Sequence, residues 1–121
     1  MKSIKDFKFK IQFNLDERKN YFNNIMMKCS NKIPVIIEKD PTSKIKEIVK
    51  TKFLLPKDLK LSELIRFIRN KLDITYTTAI YLIAAYKFAI TGSELLSEIY
   101  QKYKDKDNFL YIRYSEQLTF G

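Results

Sequence analysis

A run of apolar, mostly β-branched residues from Lys32 to Lys39 constrains the fold of this chain more than any other feature. The run ends at the turn Asp40-Pro41-Thr42-Ser43, and the two together predict a β-strand. Alternate side chains of a strand point to opposite faces, and here both sets are apolar: Ile33, Val35 and Ile37 on one face, Pro34 and Ile36 on the other. We therefore expect the sheet that contains this strand to be covered on both sides.

Other strands are predicted from shorter apolar runs. A second strand runs roughly from Ile48 to Leu55, is stopped by Pro56, and forms a hairpin with the first. Two more are predicted over Ala79 to Tyr86 and Asn108 to Tyr114. The segment from Phe7 to Phe13 alternates apolar and polar residues, which fits a strand by its period but leaves a short helix open.

Three segments have helical patterns. Leu61 to Leu72 carries apolar residues at i, i+3, i+4 and i+7 and is the strongest of them. Asn14 with Glu17 is a cap pair that opens a helix reaching about Lys28. A further helix covers about Leu95 to Tyr103. The helix that opens at Asn14 is expected to meet the core through Leu15, Phe22, Ile25, Met26 and Cys29. The order α-β-β-α-β-α-β predicts a mixed sheet with helices on both sides.

Composition limits the chemistry that this chain can perform. With 121 residues it forms one domain, and 23 Lys and Arg against 14 acids give a net charge of +9. Such a charge attracts acidic partners, which include nucleic acid, anionic membranes and acidic peptides. The chain has no histidine. That absence excludes Ser-His and Cys-His nucleophile pairs and most zinc sites, so we expect no catalytic residue and no metal site.

The single cysteine and the apolar segments indicate the compartment. Cys29 alone excludes an internal disulfide, which fits a reducing environment. The first residues lack the apolar centre of a signal peptide. The longest apolar stretch, Ala79 to Tyr86, is too short to span a bilayer. We therefore expect a soluble intracellular protein.

The distribution of glycine is also informative, because one of only two glycines is the last residue, Gly121. Glycine has no side chain and leaves its carboxylate unhindered. This suits an enzyme that threads a chain end through a narrow cleft and activates its carboxyl group.

Three blocks of the sequence, together with the terminal Gly121, resemble one family of proteins. They are residues 31–39, 51–59 and 100–115. In sequence and spacing they are similar to the autophagy-related protein 8 family, which includes light chain 3 and GABARAP, and the resemblance runs from about Lys28 to Gly121. It implies an α+β, ubiquitin-like β-grasp fold, with a four-stranded mixed sheet packed on a central helix. Residues 1–28 would be an N-terminal helical extension, and residues 29–121 the ubiquitin-like domain with its C-terminal glycine tail.

The chain departs from the family pattern at several positions. These are Cys29-Ser30, Ala84-Ala85-Tyr86, Ala89-Ile90, one extra residue between Gly92 and Ile99, and a poor match over residues 1–13. The third strand and the N-terminal arm are therefore expected to have partners that differ from those of other members.

The resemblance implies a protein that is a substrate of conjugation and not an enzyme. Gly121 would be joined to phosphatidylethanolamine by activating and conjugating enzymes with cysteine carriers, and a cysteine protease could remove the lipid. No cofactor is expected apart from this covalent lipid. The protein would be cytoplasmic and, after lipidation, partly on autophagosomal or other organelle membranes, of which a plastid is one, with an anionic membrane surface as partner.

The resemblance also implies docking of aromatic-x-x-aliphatic peptides at the edge of the hairpin's second strand. The pocket for the aromatic side chain would consist of Ile25, Pro34, Ile36, Lys52, Leu54 and Phe109. The pocket for the aliphatic side chain would consist of Phe53, Leu55, Pro56, Leu59, Leu64, Phe67 and Ile68. Lys32, Lys52 and Lys71 would contact acidic residues that flank the motif.

Other interpretations of these residues stay open at the level of sequence. By spacing alone, Phe53, Leu55, Leu64, Phe67 and Ile68 fit core positions better than a binding surface. The three lysines fit an ordinary solvated surface. A modifier conjugated to a protein and a basic nucleic-acid-binding domain remain alternatives, although no nucleic-acid motif is present and nucleic acid is not expected as a partner.

Overall fold

The computed structural model describes residues 6–75 and 77–117. The elements, in chain order, are α1 Lys8–Gln12, α2 Leu15–Lys28, β1 Lys32–Lys39, β2 Lys52–Pro56, α3 Leu61–Leu72, β3 Tyr81–Ala84, β4 Phe88–Ala89, α4 Leu96–Tyr103 and β5 Leu110–Ser115. This is the predicted α+β class. The predicted bounds of β1 and α3 are confirmed to the residue.

The described strands form one five-stranded mixed sheet in the order β2-β1-β5-β3-β4. β1 and β5 are parallel, whereas β1 with β2, β5 with β3 and β3 with β4 are antiparallel. The prediction of four strands was wrong by one. The segment predicted as a single strand over Ala79 to Tyr86 ends at Ala84, because the chain turns at Ala85 with a φ of 57° and returns as the two-residue β4.

Both faces of the sheet are covered, as the apolar faces of β1 predict. On one face Ile33, Val35 and Ile37 belong to a core that includes Leu64, Ile68 and Leu72 of α3 and Leu96 and Ile99 of α4. On the other face Ile36 packs in a second cluster with Phe7, Phe9, Phe109 and Tyr111. We call this second group the aromatic cluster. The N-terminal segment therefore supplies the cover of the second face.

The N-terminal segment is helical at α1, so the strand favoured by its period was wrong and the short helix left open is confirmed. Phe7 provides no side-chain cap for α1. Instead the buried carboxylate of Glu38 accepts hydrogen bonds from the backbone N–H groups of Lys8 (2.8 Å) and Phe9 (3.1 Å). A distant strand thus caps a helix of only five residues, which is too short to be stable alone.

Helix α2 begins with the predicted capping box of Asn14 and Glu17. Its predicted core face is only half-buried, and the one buried residue of this helix is Arg18. The reason is that α2 lies beside the aromatic cluster, where Phe22 and Ile25 pack at its margin.

The second strand is shorter than predicted, because residues 40–51 form a loop that we call the 40–51 loop. Of its adjacent apolar residues, Ile48 is buried and Val49 is exposed. Tyr114 holds the loop: its Oη donates to the carbonyl of Lys46 (2.8 Å) and accepts from the N–H of Ile48 (2.7 Å). Ile48 to Thr51 therefore serve as a packed connection and not as strand.

We expect the protein to lose stability at alkaline pH through Tyr114. Burial raises the pKa of Tyr114 to about 12, and the hydrogen bond from Ile48 opposes this only in part. Because the folded state holds this proton more tightly than the unfolded state, the contribution is complete below the unfolded pKa of about 10. It is lost as the pH rises from there toward the folded value. Urea unfolding between about pH 8 and about pH 11 measures this loss.

Tyr114→Phe provides the comparison. At neutral pH it should lower the free energy of unfolding by roughly 1–3 kcal/mol, because the Lys46 carbonyl and the Ile48 N–H lose their partner. Above about pH 10 the variant should lose less stability than the wild type. Parallel pH profiles for the two proteins would contradict the assignment.

Candidate functional site

Strand β2 is an edge strand, as predicted, since β1 is its only neighbour among the strands of the described residues. The N–H of Ile37 donates to the carbonyl of Thr51 (2.8 Å). Because bonded and non-bonded pairs alternate along an antiparallel ladder, Phe53 and Leu55 turn their backbone groups toward β1. Lys52 and Leu54 turn theirs toward the open edge. The backbone there is available to another strand.

A groove of about 520 Å³ follows this edge, within the roughly 300–1,000 Å³ usual for ligand pockets. It brings together residues from both predicted pockets. From the predicted aromatic pocket come Ile25, Lys52, Leu54 and Phe109, and from the predicted aliphatic pocket come Phe53, Leu55 and Phe67. Lys71 lines the groove as well. The two predicted pockets are thus parts of one continuous depression over β2.

Several predicted site residues lie away from the groove surface. Ile36 is fully buried, because the aromatic cluster lies over it. Leu64 and Ile68 are buried in the core beneath Phe67. Pro56 is exposed at the end of β2, and Leu59 packs partly against the core.

Pro34 and Lys32 line a different groove, which also contains Met26, Lys57 and Tyr100. In the β1–β2 register Lys32 lies opposite Pro56, whereas Lys52 lies opposite Ile36. Lys32 is therefore displaced from Lys52 by four residues along the sheet, or about 13 Å.

Positive charge surrounds the groove. Of the described residues that line it, three are lysines and none is acidic. Lys52 Nζ lies 4.8 Å from the ring centre of Tyr21. Lys50 Nζ lies 5.5 Å from the ring centre of Phe53, and Lys71 Nζ lies 5.5 Å from that of Phe67. Each ring face attracts the neighbouring ammonium group and keeps it close to the groove. An extended ligand with acidic flanks is the natural complement of this surface.

Tyr21 and Lys50 line the groove but were missing from the predicted site. A signal for Tyr21 was present, because it lies one helical turn before Ile25 on α2 and must share its face. Lys50 had no such signal, since its placement over Phe53 depends on how the 40–51 loop enters β2.

A buried ion pair fixes the two walls of the groove relative to each other. Arg18 Nε lies 2.7 Å from Asp107 Oδ2, with side chains that are 8% and 0% exposed. Asp107 also accepts from Tyr111 Oη (2.5 Å) and from the N–H of Phe109 (2.8 Å), and Arg18 donates to the carbonyl of Phe13 (2.7 Å). These contacts hold α2, which carries Tyr21 and Ile25, against the segment that leads into β5 and contains Phe109.

The surroundings of this pair shift the pKa values of Arg18 and Tyr111. Burial, the largest single influence, would lower the pKa of Arg18, but the hydrogen bond to Asp107 and the attraction of the surrounding Tyr111, Asp107 and Asp105 together outweigh it, and the pKa is raised. Burial, followed by the hydrogen bond to Asp107, raises the pKa of Tyr111 far above its usual range. Both groups therefore keep their protons across the physiological pH range.

A second polar group holds the N-terminal segment against the sheet. Lys10 Nζ donates to Asp105 (2.7 Å) and to Tyr86 Oη (3.0 Å), and Tyr86 Oη donates to Asp6 (2.6 Å). Burial, the largest single influence, would raise the pKa of Asp6, yet the hydrogen bonds from Tyr86 and the Phe7 N–H, together with the charges of Lys10 and Arg113, bring it below its usual value. The N-terminal segment that covers Ile36 is thus held at Asp6 by Tyr86 as well as at Lys8 and Phe9 by Glu38.

The predicted conjugation residue, Gly121, lies outside the described residues. The chain approaching it is held at Glu116, whose Oε2 accepts from Ser43 Oγ (2.6 Å) and from the N–H of Ile45 (3.0 Å). The described helices include none that is long and apolar enough to cross a membrane. In residues 6–75 and 77–117 no group of three or more His, Cys, Asp or Glu side chains is placed to hold a metal ion.

Comparison with known proteins gives a consistent result. The family model described as "Autophagy protein Atg8 ubiquitin like" matches residues 17–121. Autophagy-related protein 8 of Kluyveromyces lactis is 39% identical over 113 residues, which cover 93% of this chain and 90% of the relative. Human microtubule-associated protein 1 light chain 3 gamma is 37% identical over 114 residues, covering 93% and 78%. Autophagy-related protein 8B of rice is 37% identical over 113 residues, covering 93% and 94%.

Asp107→Ala should destabilise the protein by roughly 3–5 kcal/mol, because it leaves the Arg18 guanidinium buried without its carboxylate. Urea unfolding measures the change. Asp16→Ala is the matched control, since Asp16 is exposed in the first turn of the same helix as Arg18. The control should change stability by less than about 1 kcal/mol. Equal losses in the two variants would show that the pair does not hold the groove walls.

Proposed function

Because the chain belongs to the Atg8 family of ubiquitin-like autophagy proteins, we propose that it is a modifier conjugated through Gly121 to phosphatidylethanolamine. The observation that carries this proposal is the family match, which extends through Gly121 at the end of the matched region. The lipid would carry the protein from the cytoplasm onto an autophagosomal or other organelle membrane. Two acyl chains provide the stable anchoring that one chain does not.

The proposed chemistry makes this chain a substrate and not a catalyst. An activating enzyme joins the Gly121 carboxylate to the adenylate of ATP and releases pyrophosphate. A cysteine thiolate then displaces AMP to give a thioester, and transfer to a second cysteine preserves that bond. The amine of phosphatidylethanolamine displaces the thiol and forms the amide. A glycine carboxylate suits each transfer, because no side chain obstructs the attacking group.

We further propose that the groove along β2 binds aromatic-x-x-aliphatic peptides with acidic flanks. The outward backbone groups of Lys52 and Leu54 support pairing with an extended peptide. The pairing would end at Pro56, which has no N–H to donate. The aromatic side chain would enter beside Ile25, Leu54 and Phe109, and the aliphatic one beside Phe53, Leu55 and Phe67.

The conjugation proposal is tested with Gly121→Ala in cells that contain the conjugating enzymes. The wild-type chain should gain the mass of phosphatidylethanolamine and sediment with membranes, and the variant should do neither. Gly92→Ala is the matched control, because Gly92 is the other glycine and an added Cβ there meets no atom within 4 Å. Its φ of 86° makes alanine strained by about 1 kcal/mol, which leaves the fold intact.

Three results of this experiment have different meanings. Loss of the lipid adduct in Gly121→Ala alone supports the proposal. A mass increase that corresponds to another protein, without a lipid, would instead make the chain a protein-conjugated modifier. Unchanged membrane association of Gly121→Ala would contradict conjugation at this residue.

The docking proposal is tested with Lys52→Glu and a synthetic peptide that has three glutamates before Trp-x-x-Leu. We expect roughly three- to tenfold weaker binding, because a lysine at the groove becomes a like charge to the acidic flank. Isothermal titration calorimetry measures the affinity. Lys19→Glu makes the same change of net charge at an exposed position on α2 outside the groove lining.

A peptide with three lysines in place of the glutamates separates charge from packing. It should prefer Lys52→Glu to the wild type, since the sign of the flank is reversed. If Lys19→Glu weakens the glutamate peptide as much as Lys52→Glu does, the attraction comes from net charge and not from this groove.

A further inference from the structure

The 40–51 loop presents an apolar side chain almost completely to solvent. Val49 is 98% exposed, although the preceding residue, Ile48, is buried. Four hydrogen bonds hold the loop in place: Tyr114 Oη donates one and accepts one, and the Glu116 carboxylate accepts two. A single exposed valine is ordinary on a protein surface, so its meaning depends on its neighbours.

The neighbours of Val49 in the loop are positively charged. Lys44, Lys46 and Lys50 are all exposed. The acids of the loop have partners within the protein: Glu47 forms an ion pair with Lys8 (3.1 Å), and Asp40 accepts from the N–H of Thr42 (3.1 Å). An apolar side chain among exposed lysines is the composition that binds the interface of a bilayer containing anionic lipids.

The position of the loop relative to the C-terminal residues supplies the second argument. Glu116 contacts Ser43 and Ile45 directly, so the chain leaves the fold beside this loop. Gly121 is the fourth residue after Gln117, and four residue steps span at most about 14 Å. Gly121, the point at which a lipid would be attached, therefore lies within about 14 Å of Gln117, so a membrane joined to it lies near the 40–51 loop.

We propose that the 40–51 loop is a second contact with the bilayer, in which Val49 enters the headgroup region and Lys44 and Lys46 bind anionic headgroups. This inference rests on the proposed conjugation of Gly121 to a lipid. The covalent tether gives the loop a high local concentration at the membrane, so a weak contact is sufficient to orient the protein. The end of β5 then faces the bilayer, and the start of β5 faces away from it.

The test uses the full chain joined to vesicles by chemistry that does not need the conjugating enzymes. Cys29→Ser with Gly121→Cys leaves one thiol, at position 121, which couples to maleimide-bearing phosphatidylethanolamine. The chain contains no tryptophan, so Val49→Trp adds a single fluorescent reporter. Brominated phosphatidylcholine in the vesicles, mixed with phosphatidylserine, quenches an indole that enters the bilayer interface.

We expect the indole of Val49→Trp to shift to shorter wavelength and to be quenched. Met27→Trp is the matched control, because Met27 is 85% exposed near the end of α2, shortly before β1 begins. It lies at the opposite end of the sheet from Gln117, so its indole should keep the spectrum it has in buffer. Absence of quenching of Val49→Trp would overturn the proposal and is the result expected if the loop binds a protein partner instead. Equal quenching of both reporters would also overturn it.

A charge comparison tests the lysines. In the uncoupled Val49→Trp chain, Lys44→Glu with Lys46→Glu should weaken binding to phosphatidylserine vesicles at least roughly tenfold. Lys19→Glu with Lys106→Glu makes the same change of net charge at exposed positions near Arg18 and Asp107, before β5 begins. An equal loss in both pairs would show that net charge, and not the loop, attracts the membrane.

The outcomes separate the two proposals. Quenching of Val49→Trp on coupled vesicles, together with no lipid adduct on Gly121 in cells, would leave the loop as a membrane-binding surface and disprove conjugation. A lipid adduct in cells, without quenching on vesicles, would leave conjugation intact and disprove the loop contact.

Discussion

The parallel pairing of β1 with β5 is the interaction on which the rest of the structure depends. Their register runs from Val35 opposite Leu110 to Lys39 opposite Tyr114, and every residue of β5 is buried. Parallel neighbours need a long crossover connection, and here the connection carries β2, α3, β3, β4 and α4. Those elements supply both outer parts of the sheet and the main core. Because β1 and β5 begin at the same end of the sheet, helix α2, which precedes β1, and the segment before β5 meet there.

The N-terminal segment completes the sheet's second face, which the crossover leaves open. Phe7 and Phe9 are buried against Tyr111, and the guanidinium of Arg113 lies 4.2 Å from the ring centre of Phe7. Glu38 caps α1 from β1, so the helix forms only where the sheet is already present. The same cover buries Ile36 and sets α2 beside the edge of β2. The shape of the groove is therefore a consequence of how the second face is closed.

The sequence predicts elements well where one local pattern determines them. β1 and α3 have the predicted bounds because a β-branched run and an amphipathic stripe each have one good solution. The choice between strand and helix for the segment that contains α1 stayed open, because the cap of this helix, Glu38, is 30 residues from Lys8 in the sequence. At the site, the positions over β2 follow from alternation, but the accessibility of Ile36 depends on which residues cover it. Lys32 was grouped with Lys52 and Lys71, yet it lies along a different groove.

The two ends of β5 have separate roles that share one rigid strand. Just before its start, Asp107 contacts Arg18, Tyr111 and Phe109 and fixes the walls of the groove. At its end, Tyr114 and Glu116 hold the 40–51 loop, and the chain continues from Glu116 toward Gly121 beside that loop. Six residues of strand separate these ends by about 20 Å. With the proposed conjugation at Gly121, a membrane at the end of β5 would leave the part of the groove around Phe109 and Ile25 away from the lipid surface. A tail at the other end of β5 would instead bring the lipid against the Arg18–Asp107 pair and close the groove to peptides.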